Sequence, residues 1–225
     1  MPGLTSTSRA GPVLVSDFDG TMTRNDFYKL AIEELLPADT PDYWAEYRAG
    51  TITHFEALRR YFAAIRKSEE EVLAVVQQME LDPGLRRAVE ELHQAGWKVI
   101  VTSAGCEWYI RRLLAEAGIN VLVYANPGRY VAGRGLIMEM PKGSPYLSES
   151  LGVDKTAVVR EHVARGGKVA FAGDGFPDTD PARLVPGQLR FARGDLANVL
   201  EHENLEFHRF KTWSEISRVL LREKE

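Results

Sequence analysis

Short apolar runs alternate along this 225-residue chain with longer stretches whose apolar residues recur at helical spacing. Pro12-Val13-Leu14-Val15 is short and β-branched and stops at Ser16-Asp17, which predicts a buried strand. Lys98 to Thr102, Val121 to Tyr124, Lys168 to Ala172 and Leu189 to Ala192 read the same way. A helix is predicted to open at Asp82-Pro83-Gly84, where Asp82 can cap and Pro83 suits the first helical position, and to run to about Ala95 before Gly96. Others span about Glu107 to Ala117 and about Asp154 to Ala164, stopping at Gly118 and at Arg165-Gly166-Gly167. Such alternation predicts an α/β fold, a parallel sheet with right-handed crossovers that binds ligands beyond the carboxyl ends of its strands.

Two segments break the alternation. Residues 24–81 hold no convincing strand but two capping-box patterns, Thr53-His54-Phe55-Glu56 and Ser68-Glu69-Glu70-Glu71. Phe55, Leu58, Phe62 and Ile65, and then Val72, Val75, Val76 and Met79, recur at helical spacing. This segment reads as a helical lobe inserted after the first strand, leaving 1–23 and 82–225 as the α/β core. Residues 125–150 are rich in glycine and proline, and Gly133-Arg134-Gly135 predicts a β-hairpin there.

Composition narrows the function classes. A net charge of −4 offers nothing to a nucleic-acid backbone. No apolar run approaches the roughly 20 residues of a membrane helix. Met1 to Gly11 lacks the apolar core of a secretory signal, so a cytoplasmic protein is expected. The single Cys106 excludes an internal disulfide and a cysteine metal cage, and with no basic neighbour it reads as a packing residue. The five histidines show no metal spacing.

Three predicted strands end in residues suited to phosphate chemistry. The first ends in Asp17-Phe18-Asp19-Gly20-Thr21, with two carboxylates at a spacing that points both to one side of an extended chain. The second ends in Thr102-Ser103-Ala104-Gly105 directly before a helix, an anion-binding arrangement. The third ends in Gly173-Asp174-Gly175, with Asp178 four residues on. A parallel sheet would gather Asp17, Asp19, Asp174 and Asp178 on one edge, where a hard divalent cation relieves their repulsion; oxygen donors favour Mg²⁺. Lys155, at a predicted helix start where the helix dipole disfavours a cation, gains from a nearby carboxylate and phosphate.

Asp17-Phe-Asp-Gly-Thr-Met-Thr, Ser103, Lys155 and Gly173-Asp174-Gly-Phe-Pro-Asp178 resemble, in order, the four motifs of the haloacid dehalogenase-like hydrolases. The resemblance implies a Rossmann-like core with a mobile cap, and the insert resembles a C1-type cap. It implies that Asp17 is a nucleophile forming an aspartyl-phosphate and that Asp19 is the general acid and then base. Thr21, Ser103, Ala104 and Lys155 would bind the phosphate. Asp17, the Asp19 carbonyl and Asp174 would hold Mg²⁺, with Asp178 supporting directly or through water. The second aspartate separates the family's phosphatases from its dehalogenases.

Within the family the chain resembles the group of phosphoserine phosphatases (subfamily IB), which includes phosphocholine and phosphoethanolamine phosphatases and the 2-hydroxy-3-keto-5-methylthiopentenyl-1-phosphate phosphatases of methionine salvage. Thr23-Arg24-Asn25-Asp26, Tyr124-Ala125-Asn126 and Phe191-Ala192-Arg193 bring it nearest the last. Leu147 to Asp154 replaces a cysteine-rich stretch found in some of these enzymes, and an ungapped count puts their cap arginine at Tyr61. Asp26, Arg59 and Arg60 are therefore the candidate substrate contacts. Arg48 reads as solvated, and Trp44, Tyr47, Phe55, Tyr61 and Phe62 mostly as cap core. The implied partner is a small phosphate ester, with no membrane or nucleic acid, in a monomer or homodimer. A phosphotransferase and a non-catalytic phospho-ligand binder are the other readings.

Overall fold

Buried β-branched residues dictate the centre of the molecule. In the computed structural model, which describes residues 11–222, β1 (Val13–Ser16) is buried at every position. Residues 1–10, most of the segment read as lacking a secretory signal, lie outside the described residues. Four helices follow: α1 (Phe27–Glu34), α2 (Tyr43–Arg48), α3 (His54–Ala64) and α4 (Glu69–Gln77). Next come α5 (Leu85–Gln94), β2 (Lys98–Cys106), α6 (Glu107–Glu116) and β3 (Leu122–Asn126). Two antiparallel hairpins intervene, β4 (Gly128–Val131) with β5 (Gly135–Met138), and β6 (Leu147–Ser148) with β7 (Gly152–Val153). The chain closes with α7 (Lys155–Ala164), β8 (Val169–Gly173), α8 (Thr179–Arg183), β9 (Arg190–Ala192), α9 (Gly194–His202), β10 (His208–Arg209) and α10 (Ser214–Arg222).

The main sheet runs in the order β10-β9-β8-β1-β2-β3, and every pairing is parallel. Alternate side chains feed two apolar clusters, as the period of a strand requires. Leu14 joins the cluster that includes Val99, Val101, Ala170 and Ala172, while Val13 and Val15 join Ile100, Val169 and Phe171 on the other face. With both faces covered, the carboxyl ends of β1, β2 and β8 are left as neighbouring openings. No helix among the described residues is long and apolar enough to cross a membrane.

The segment between β1 and β2 is helical where the caps predict. Thr53 Oγ1 accepts from Glu56 N (3.1 Å), and Ser68 and Glu71 form a reciprocal capping box. Glu56 does not reach back in turn, because its carboxylate is taken by Arg59 and Arg60 at 2.7 Å each. An isolated bridge between Thr23 and Leu81 brings the two ends of the insert together. Phe27 of α1 packs on Phe62 of α3 (5.4 Å between centroids) and on Tyr109 of α6 (4.6 Å), so insert and core share one apolar cluster.

Two local expectations are corrected. Asp82 does not cap a helix: its carboxylate closes a turn by accepting from Gly84 N (2.8 Å) and ties down Ser214 N (2.6 Å), and α5 begins only at Leu85. The second strand is longer than its predicted end at Thr102. It continues to Cys106 through a register shift after Thr102, and α6 starts at Glu107.

Candidate active site

Asp17 follows the last residue of β1, and its main-chain N–H still bonds to Ala172 O of β8 (2.9 Å). The chain then turns tightly: the amides of Thr21, Met22 and Thr23 all point at Phe18 O, and Gly20 takes φ +68°. A Cβ on Gly20 would lie 2.4 Å from Asp174 Oδ2, so only glycine permits this approach of two acidic strand ends. Arg193, just past β9, braces the turn by donating to Gly20 O and to Thr23 O (2.6 Å).

The buried centre is an ion triad. Lys155 Nζ stands 2.8 Å from Asp17 Oδ1 and 2.7 Å from Asp178 Oδ1. Burial opposes its charge, but the two carboxylates outweigh burial and hold its pKa above the ordinary lysine value. This is the compensation that its place at the start of α7 called for, while Asp154 caps that helix by accepting from Ala157 N (2.8 Å). Asp178 Oδ2 accepts from the amides of Asp174 (3.1 Å) and Gly175 (3.0 Å). Both of its oxygens are thus committed within the protein.

Asp17, Asp174 and Asp178 offer oxygens within 4.8 Å of one another. Burial, then the charge of Asp178, raises Asp17 well above the usual carboxylate range despite Lys155. The same two causes lift Asp174 to about 6. Crowded, hard, acidic oxygens of this kind fit a hard divalent cation.

Asp19 is held apart from this cluster. Its Oδ1 accepts from Tyr109 Oη (2.9 Å) and its Oδ2 from Ser103 Oγ (3.1 Å). Burial raises its pKa, and the bonds from Tyr109 and Ser103 oppose that rise. Ser103 therefore sits within the strand extension rather than at a helix start, with Gly105 N donating to its Oγ (2.9 Å). Sequence reasoning missed Tyr109. It is the third residue of α6, 90 residues from Asp19, and no local pattern marks it.

A cavity of about 350 Å³ opens on these groups. Its floor is Asp17, Asp19, Ser103, Ala104, Lys155 and Asp174, all candidates from the sequence. Thr21 is not in the lining; it is buried and donates to Asp174 Oδ1 (2.7 Å), so it positions a carboxylate rather than presenting a phosphate ligand. Asp26 does line the cavity while capping α1 through Tyr28 N (3.1 Å), and burial with Asp19 and Asp174 nearby raises its pKa strongly. Arg59 and Arg60 are outside the lining, paired with Glu56 and, for Arg60, with Glu46 (2.9 Å). Tyr61 is core, bonded to Asp42 Oδ1 (3.2 Å), and Phe55 is core too. Trp44, Tyr47 and Phe62, read mostly as cap core, reach the cavity, as do Arg48, read as solvated, and His54, which is not among the sequence candidates. Cys106 is buried, and burial pushes its thiol up to about 12, in keeping with a packing role.

Residues 14–182 match the family described as haloacid dehalogenase-like hydrolase. Over 216 residues the chain is 25% identical to the bifunctional enzyme MtnB/MtnX of Bacillus licheniformis, covering 93% of this chain but only 49% of that protein. It is 23% identical over 212 residues to the 2-hydroxy-3-keto-5-methylthiopentenyl-1-phosphate phosphatase of Brevibacillus brevis, covering 92% of this chain and 94% of that one. In fold it is similar to a solved phosphoserine phosphatase carrying a phospho-aspartyl intermediate analogue, with a TM-score of 0.64 and 17% identity over 92% of this chain and 98% of the other.

Proposed function

The chain belongs to the haloacid dehalogenase-like hydrolases, and from that premise we propose that it is a phosphoric monoester hydrolase acting through an aspartyl-phosphate on Asp17. The observation that carries this reading is the division of labour between two carboxylates on one cavity floor. Asp17 Oδ1 is anchored on Lys155 Nζ at 2.8 Å, which leaves its other oxygen to attack phosphorus. Asp19, steadied by Tyr109 and Ser103 and raised in pKa by burial, is the group suited to carry a proton.

In the first step an Asp17 oxygen forms a bond to phosphorus as the ester P–O bond breaks, and Asp19 gives its proton to the departing alcohol. In the second, Asp19, now a carboxylate, takes a proton from water as that water's oxygen attacks the phosphoryl group and frees Asp17. Lys155 and Ser103 hold phosphoryl oxygens throughout. Asp17 and Asp174, with the main-chain carbonyl of Asp19, would hold Mg²⁺, which when bound supplies charge neutralisation to those oxygens. Asp178, its oxygens already committed, supports this set by fixing Lys155 and the Asp174 amide.

Residues 24–81 act as the cap that selects the leaving group. Tyr28, Trp44, Tyr47, Leu58 and Phe62 give the cavity a largely apolar and aromatic wall. Of its cations beyond Lys155, Arg48 is engaged with Asp42 (3.3 Å), and Lys29 Nζ lies 5.7 Å from the centroid of the Tyr28 ring. Such a wall suits a leaving group with an apolar tail better than the carboxylate of phosphoserine. It favours 2-hydroxy-3-keto-5-methylthiopentenyl-1-phosphate, the substrate in the names of several relatives. A cytoplasmic setting accords with the single buried thiol.

A phosphate-release screen over small phosphomonoesters with Mg²⁺, including phosphoserine and phosphocholine, tests the proposal. Asp17→Asn should lose activity by on the order of 10³-fold or more. Activity retained in that variant overturns the nucleophile, and preference for phosphoserine overturns the leaving group.

A further inference from the structure

Trp44 of α2 and His54 of α3 lie with ring centroids 5.1 Å apart, and both line the cavity over the catalytic floor. Trp44 Nε1 and His54 Nδ1 are each buried without a hydrogen-bond partner. Folded proteins rarely leave such atoms unpaired, because an unmade buried hydrogen bond is costly. The polar atoms around them are satisfied: Tyr61 Oη accepts from Trp44 N (3.1 Å) and donates to Asp42 Oδ1 (3.2 Å). The two other unpartnered side-chain atoms among the described residues, Thr102 Oγ1 and Asn126 Oδ1, belong to residues outside the cavity lining. Two adjacent residues that line this cavity therefore each carry an orphaned ring nitrogen.

We propose that Trp44 and His54 are specificity-determining residues that together hold an oxygen of the leaving group, a hydroxyl or carbonyl carried close to the phosphoester. The indole N–H donates to that oxygen. The neutral imidazole accepts from it when it is a hydroxyl and donates to it when it is a carbonyl. On binding, each ring would present its nitrogen to the cavity that the residue lines. An ester of equal length without the oxygen leaves both nitrogens unpaired, and sites built on buried polar groups reject such analogues strongly. This assignment rests on the phosphatase reading above.

The test compares kcat/KM for dihydroxyacetone phosphate, which carries a carbonyl and a hydroxyl, with kcat/KM for propyl phosphate, which has neither. The wild type should favour the oxygenated ester. In Trp44→Phe, which keeps a ring and removes the N–H, and in His54→Leu, that preference should fall about tenfold, the worth of one lost hydrogen bond. His54→Asn, which restores a polar atom near the position of Nδ1, should recover most of it. A preference unchanged within about twofold in both Trp44→Phe and His54→Leu overturns the proposal, as does an equal loss on the two esters. A wild type that releases phosphate from no ester overturns the phosphatase reading itself, and this assignment with it.

Discussion

Lys155 Nζ lies 2.7 Å from Asp178 Oδ1, and neither side chain is more than 3% exposed. The same carboxylate takes the amides of Asp174 and Gly175 on its other oxygen, so one residue ties the lysine of α7 to the loop after β8. Removing one partner of a buried ion pair costs about 3–5 kcal/mol. Asp17 still faces the ammonium, so Asp178→Asn should sit near the lower end, about 3 kcal/mol, read from the urea midpoint. Phosphate release should fall with it. A variant of unchanged midpoint and rate would show that the pair holds nothing in place.

Tyr109 sets the proton affinity of Asp19. Its hydroxyl donates to Asp19 Oδ1 and so favours the carboxylate, while Cys106 N donates to that hydroxyl (3.2 Å). Tyr109→Phe removes a stabiliser of the ionised form, and the Asp19 pKa rises. An acid that must enter the first step protonated then stays active to higher pH, so the alkaline limb of the rate profile should move up by about one unit. A limb that moves down contradicts the role of Asp19 as the acid. The stranded Cys106 N–H should also cost about 1–3 kcal/mol of stability.

Gly20 is the hinge of acid against acid. Gly20→Ala places a methyl only 2.4 Å from Asp174 Oδ2, on a backbone of φ +68°. Displacing Asp174 should weaken Mg²⁺ binding. In thermal unfolding, Mg²⁺ should raise the melting temperature of the wild type and leave the variant nearly unmoved. Protons compete for Asp174, whose pKa is about 6 without metal. The wild-type gain should therefore shrink as pH falls from 7.5 to 5.5. An equal Mg²⁺ shift in both proteins argues against this site.

His54 makes the fold acid-sensitive. Burial, aided by the charge of Lys155 and opposed by Asp178, pulls its pKa down to about 4. Between pH 6.5 and 4 the unfolded chain takes up a proton that the folded chain refuses, so this contribution to stability is lost as pH falls through that window. A shift of this size corresponds to about 3 kcal/mol. His54→Asn should flatten the decline of stability between pH 6.5 and 4, measured by urea unfolding at several pH values. An unchanged slope would place the proton uptake elsewhere.

Much of the catalytic floor is legible along the chain because its parts are local. A β-branched run ending in Asp17-Phe18-Asp19-Gly20 needs no distant partner to declare a buried strand and an acidic turn. Asp154 before Lys155 marks a helix start by side-chain capping alone, and Ser68 and Glu71 mark another. Topology did the rest: once the strands are parallel, Asp17, Ser103 and Asp174 share one edge.

The walls of the cavity are another matter. Arg59 and Arg60 are candidate substrate contacts in the sequence only because they adjoin the position that an ungapped count gives to a cap arginine, and Glu56 and Glu46 claim them instead. Thr21 carries a hydroxyl in the first motif, but its geometry aims that hydroxyl at Asp174. Tyr109 carries no local signature, and the patterns that include Arg193, Trp44 and His54 do not say what each side chain faces. Helical spacing tells which residues share a face, whereas the direction of that face depends on packing between elements far apart in sequence. The sequence by itself determined the strand order of the chemistry, the acids, the lysine and the place of the insert, because those follow from patterns a few residues long. Tertiary structure alone decided which side chains close over the leaving group, because Phe27, Phe62 and Tyr109 must meet before α1, α2 and α3 have an inside.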